Sequence, residues 1–208
     1  MTTGHTPLVT PAEKERLHHM IEALMRRSRL EPDGRIASGT NCTGRTLLFP
    51  GVNSPERSTY PAFWIRDPAW IAEATGVDAE TVWGWITLMT ETMQGPTPRS
   101  LASGGLIPPF SVADHINLDG SPVFYPGTYD SGESQGPPWG RYPPHDDQYW
   151  LTFTAHAYAH LAGDSEAGAH PVPTQLGNIP LHIACDLAHH AMAVDERTGL
   201  CIADADPQ

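Results

Sequence analysis

Arg66 and Asp67 stand side by side in residues 60–74, YPAFWIRDPAWIAEA, a run otherwise made mostly of aromatic and aliphatic residues. A guanidinium presents five N–H donors in a fixed fork, and a carboxylate presents only acceptors. Flanked by Trp64 and Trp70, the pair supplies charge, a hydrogen-bonding fork and ring walls, which a site for a neutral polyol needs. The same residues also suit a structural ion pair at the start of a buried helix, with both tryptophans in the core. Residue type alone does not separate the two uses.

A second acidic pair, Asp146-Asp147, opens residues 148–163, a stretch with no Asp, Glu, Lys or Arg. Between the two pairs runs 95–146, rich in proline and glycine, which carries Asp114, His115, Asp119, Tyr125, Tyr129, Asp130, Glu133, Trp139, Arg141 and Tyr142. Carboxylates interleaved with aromatics suit a sugar site, because rings stack on the apolar faces of pyranoses while acids grip hydroxyls. The bland alternative is an exposed loop whose aromatic side chains anchor it to the core. His156 and His160 are four residues apart on one helical face, a spacing that can hold a metal. They lack an HExxH pattern, so they read as structural histidines, with no metal and no cofactor expected.

The elements that position these groups read mainly as helices. Thr10-Pro11-Ala12-Glu13 is a capping box with proline at the first helical position. It starts a helix over 11–30 with Leu17, Met20, Ile21, Leu24 and Met25 on its apolar face. Asp67-Pro68 predicts a helix over 68–75 that Gly76 stops. Asp78 caps the next, over 79–94, with Val82, Trp85, Ile86, Met89 and Met93 inward. Helices joined by so short a turn should fold back on each other as an αα-hairpin. Residues 35–58 read as loop with one short strand near 46–49, and 95–146 reads as loop of the length that serves function. The uncharged stretch predicts a helix over 147–162, buried on most sides. Asn178 caps a last helix over 179–194.

FWIRDPAW resembles the aromatic-x-Arg-Asp-Ser-Ala segment of glucoamylase-type enzymes and, more broadly, of six-hairpin (α/α)6 glycosidases. DDQYWLTFTAHAYAHLAGD, residues 146–164, is similar to the inner-helix pattern of the same superfamily. The resemblance implies an all-α toroid of helical hairpins. With about five helices and a long loop insertion at 95–146, the chain would form a single domain holding only the first part of that barrel, a fragment of a longer enzyme. It implies hydrolysis of a glycosidic bond, in which two carboxyl groups act as acid and as base or nucleophile. Glu133 is then the local candidate for the general acid. Trp64, Arg66, Asp67, Tyr129, Asp130, Asp146 and Asp147 are the candidate substrate-binding residues, with Asp67 sharing one cavity with Asp146 or Asp147. The expected partner is carbohydrate, and the open barrel face would favour self-association and leave the chain weakly active. Two readings compete: a non-catalytic carbohydrate-binding or helical interaction module, and a His-rich metalloprotein.

Composition bounds these readings. Of 208 residues, 39% are hydrophobic and 17% charged, which places the chain among folded proteins. A formal charge of −12 argues against nucleic acid or an anionic membrane as partner. Cys42, Cys185 and Cys201 are an odd number at wide spacing, neither a disulfide framework nor a zinc motif. Asn41-Cys42-Thr43 matches a glycosylation triplet, but residues 1–17 show no secretion signal, so a cytoplasmic location is expected.

Overall fold

In a computed structural model of the chain, residues 9–36, 39–48, 62–74, 77–102, 104–124 and 142–202 are described. The chain opens with helix α1 (Pro11–Ser28), then short strands β1 (Arg29–Leu30), β2 (Arg35–Ile36), β3 (Gly39–Thr40), β4 (Leu47–Leu48) and β5 (Ala62–Trp64). Helices α2 (Arg66–Ala74) and α3 (Ala79–Thr92) follow, then strands β6 (Arg99–Ser100), β7 (Leu106–Ile107), β8 (His115–Asn117) and β9 (Pro122–Val123). Helix α4 (Asp147–Ala162) leads through a 3₁₀ turn at Ala167–Ala169 to strands β10 (Pro171–Thr174) and β11 (Gly177–Pro180) and helix α5 (Leu181–His190).

The architecture is mixed, 43% helix and 19% strand among the described residues, with small antiparallel sheets; the expected all-α toroid, and the open barrel face that went with it, are corrected. Two local signals explain the difference. His115-Ile116-Asn117-Leu118 alternates polar and apolar residues ahead of Asp119-Gly120, a hairpin dipeptide. Accordingly β8 and β9 form a hairpin, with Gly120 at φ 87°, and β8 also pairs with β5, giving the three-stranded sheet β5-β8-β9. So the 95–146 segment supplies the central strand of the largest sheet among the described residues. Near the C-terminus, Asn178 lies in a strand instead of capping a helix. Residues 171–180 form the β10–β11 hairpin, with Val172 opposite Ile179 and Gly177 at φ 92°, and α5 starts only after Pro180.

The packing of helices also departs from the hairpin expected. Helices α2 and α3 pack chiefly on α4, not on each other. Helix α4 lies between them because its uncharged surface accepts apolar neighbours on several sides; Leu151, Thr154 and Ala157 are buried. The core is centred on Trp85, Phe63, Phe124, Ile65, Ile86, Met89 and Ile116, all essentially without solvent contact. Trp85 Nε1 donates to the Thr46 carbonyl at 2.8 Å, so its polar atom is satisfied inside.

Loop 41–46 is held from within by Asn41, which is fully buried. Its Nδ2 donates to the carbonyls of Leu30, Glu31 and Arg45, and its Oδ1 accepts from the Thr43 N–H and hydroxyl. With the amide consumed in this way, the fold leaves no place for a glycan on Asn41.

Candidate functional site

Three elements meet at Arg66. Strand β5 runs through Ile65 directly into α2, so Trp64 closes a strand and Arg66 is the first helical residue. Strand β8 pairs with β5 in register Trp64↔His115, which places Asp114 and His115 beside that junction. The N-terminus of α4 brings Asp146 and Asp147 from the other side, where the helix dipole favours negative charge. Gln148 ties these parts together, accepting from the Val112 N–H through Oε1 at 2.8 Å.

The Arg66 guanidinium faces three carboxyl groups. Nη2 donates to Asp114 Oδ1 at 3.0 Å and to Asp147 Oδ1 at 3.4 Å, and Nη1 lies 3.6 Å from Asp146 Oδ2. Asp114 and Asp147 are fully buried, whereas Asp146 is half exposed. The second oxygen of Asp114 is 2.8 Å from His115 Nδ1, and the His115 ring stacks on Trp64 at 4.3 Å between centroids. Among the described residues, the buried Arg66 Nε and Asp147 Oδ2 have no hydrogen-bond partner.

Electrostatics divides the acids. Burial, reinforced by the charges of Asp114 and Asp146 and only partly opposed by Arg66, pushes Asp147 up to about 9. Asp147 therefore holds its proton well above the usual aspartate range, with Oδ1 accepting from Arg66. Burial also raises Asp67, with Arg66 opposing and Asp114 adding to the rise. Loss of water lowers Arg66, but the negative charges around it, that of Asp146 first, more than offset this and keep it charged.

The structure brings Trp64, Arg66, Asp146 and Asp147 together, and Asp67 lies within the field of Arg66 and Asp114. Asp67 sits one residue inside α2, not at its cap, because the helix begins at Arg66. Trp70, expected as a wall of the site, is instead 62% exposed and packs at 5.4 Å on Trp150 and 5.8 Å on Phe153, an aromatic group joined to the cluster where Trp150 Nε1 donates to Asp146. Tyr129, Asp130 and Glu133 lie outside the described residues. Asp114 and His115 belong to the centre, and the strand signal of 115–118 with its Asp-Gly turn is what points to them in the sequence.

Among the described residues no group of three or more His, Cys, Asp or Glu is placed to hold a metal ion. His156 and His160 stand exposed on α4, and His189 is bonded to Thr152 at 3.1 Å. Comparison of the chain with protein-family models, curated proteins and solved structures returns no match.

Proposed function

We propose that the chain is a glycoside hydrolase-type protein that binds carbohydrate at the Arg66 cluster. The observation that carries the reading is the partly exposed Arg66 fork beside half-exposed Asp146, backed by two buried groups, the Arg66 Nε–H and the Asp147 carboxyl, that have no partner among the described residues. Buried polar groups are almost always paired, so two orphans in one cluster call for a partner. A sugar hydroxyl is donor and acceptor at once and can pair with the exposed edge of the Arg66 fork and with the half-exposed Asp146. Asp67 and Asp146 add acceptors, and the Trp64–His115 stack adds an apolar ring face. The resemblance of FWIRDPAW to glycosidase segments supports the same assignment.

For catalysis the raised proton affinity of Asp67 and Asp147 matters. A general acid must hold its proton near neutral pH and release it to the leaving oxygen. Glu133 remains the loop candidate for that role. A non-catalytic carbohydrate-binding role is the second reading, favoured by the complete burial of Asp147, which keeps one of the two raised acids out of reach of a scissile bond.

The test is titration of the purified chain with mono- and disaccharides, followed by ligand-observed NMR, alongside turnover of aryl glycosides. Saturable binding, weakened about tenfold or more in Asp67→Asn and Arg66→Lys, is expected; tenfold corresponds to about 1.4 kcal/mol. Both variants are to unfold at the wild-type temperature within a few degrees, which separates lost contacts from lost fold. Absence of binding by every saccharide defeats the proposal. Binding without turnover selects the non-catalytic reading.

A further inference from the structure

Among the described residues the first half of α1 stands clear of the body: residues 11–20 are exposed on every side, and the buried or half-buried positions of the helix are Ile21, Glu22, Ala23, Met25 and Ser28. An isolated helix of this length is marginal in water, because most helical stability in proteins comes from packing an apolar face. Helix α1 has such a face and leaves part of it bare. Leu17 is 49% exposed, Met20 58% and Leu24 52%.

The spacing of that bare stripe is informative. Glu13, Leu17, Met20, Leu24 and Arg27 follow one another at steps of four, three, four and three, the heptad rhythm of a two-helix seam. The apolar residues are in the middle, an acid closes the N-terminal end and a base the C-terminal end. Glu13 bonds only to Thr10, its helix cap, and Arg27 makes no ion pair among the described residues. A parallel partner of the same sequence would set Glu13 on Glu13 and Arg27 on Arg27. An antiparallel copy sets Glu13 on Arg27 at both ends, Leu17 on Leu24 twice, and Met20 on Met20 at the two-fold axis.

We infer that α1 is an interaction surface for a second copy of this chain, which docks its own α1 antiparallel across a two-fold axis. The interface is isologous, so the same five residues on each copy form it. One pair of helices of this length buries less than the standard interface of about 1,600 Å², so the dimer is concentration-dependent rather than permanent. Its formation does not depend on the carbohydrate reading of the Arg66 cluster.

Sedimentation velocity of the full chain over a wide concentration range tests it. The wild type is expected to pass from monomer to dimer and no further. Met20→Lys, which places two ammonium groups at the two-fold axis, should weaken the dimer about a hundredfold or more. Arg27→Glu should weaken it about tenfold, and the double variant Glu13→Arg with Arg27→Glu should restore it, since the ends again oppose unlike charges. Circular dichroism of each variant checks that α1 stays helical, because Glu13 also serves the cap. Trp70→Ala, in another exposed apolar group, should leave the dimer unchanged. A wild type that is monomeric throughout overturns the inference. So does a dimer that survives Met20→Lys but is lost in Trp70→Ala, and so does a double variant no better than Arg27→Glu.

Discussion

Asp147 is the most perturbed single residue of the site. Its folded-state pKa of about 9 stands far above that of an unfolded aspartate, about 3.9. The folded chain therefore holds a proton that the unfolded chain releases. The contribution of this group to stability is fully present below about pH 4, erodes as pH rises, and is lost once pH passes the folded value. Asp147→Asn keeps the shape and the Oδ1 acceptor for Arg66 but removes the titration. The variant is expected to flatten the stability profile between about pH 4 and pH 9 and to gain on the order of 1–3 kcal/mol over the wild type at the alkaline end. Urea denaturation at a series of pH values measures this. A wild-type profile already flat over that interval would show that Asp147 is ionised in the fold. The sequence indicates that Asp146 and Asp147 lead a helix, but not which of them is buried. That depends on Asp114 and Arg66 arriving from elements 33 and 81 residues away along the chain, the latter separation being that of the Arg66–Asp147 bond.

At the scale of elements, caps and turns govern where structure starts and stops. Gly163 ends α4 in the left-handed conformation, φ 62° and ψ 30°, and its N–H closes on the carbonyls of Ala159 and His160. A Cβ built there meets nothing within 4 Å, so the cost of a side chain is backbone strain alone. Gly163→Ala is expected to lower stability by about 1 kcal/mol, read as a shift of the denaturation midpoint without change of slope. A loss of several kcal/mol would mean that the loop after α4 carries packing not apparent at this position. Helices α1, α3 and α4 are legible because each has strong local signals: Thr10 with Glu13, Asp78 accepting from the Thr81 N–H, and Gly163 at the end. Two-residue strands carry no comparable period. Only where a turn dipeptide follows an alternating run, as at 115–120, does the sequence announce one.

For the whole molecule the core decides stability. Trp85 is fully buried, lies 6.1 Å from the ring of Phe63, and spends its N–H on Thr46. Trp85→Ala removes the ring, leaves a cavity between α3 and β5, and strands the Thr46 carbonyl. The expected loss is about 3–5 kcal/mol, a large part of the roughly 5–15 kcal/mol that holds a domain together. Calorimetry of the variant checks it, and an unfolding temperature within a few degrees of wild type would refute the centrality of this residue. Among the described residues no helix is long and apolar enough to cross a membrane.

The sequence by itself determined the starts of α1, α3 and α4, the aromatic run around Arg66, the acidic opening of α4 and the face of α3 that turns inward. These follow from hydrogen-bonding and periodic rules that act within a few residues. Tertiary structure decided the rest. Pairing of β5 with β8 set Trp64 against His115 and brought Asp114 to Arg66, through hydrogen bonds between residues some fifty positions apart. Burial then separated two neighbouring aspartates that are identical in the sequence, leaving Asp146 half in water and Asp147 without it. The same long-range pairings turned a chain of helical segments into a mixed α/β fold, because a strand exists only when its partner does, and partnership is not written locally.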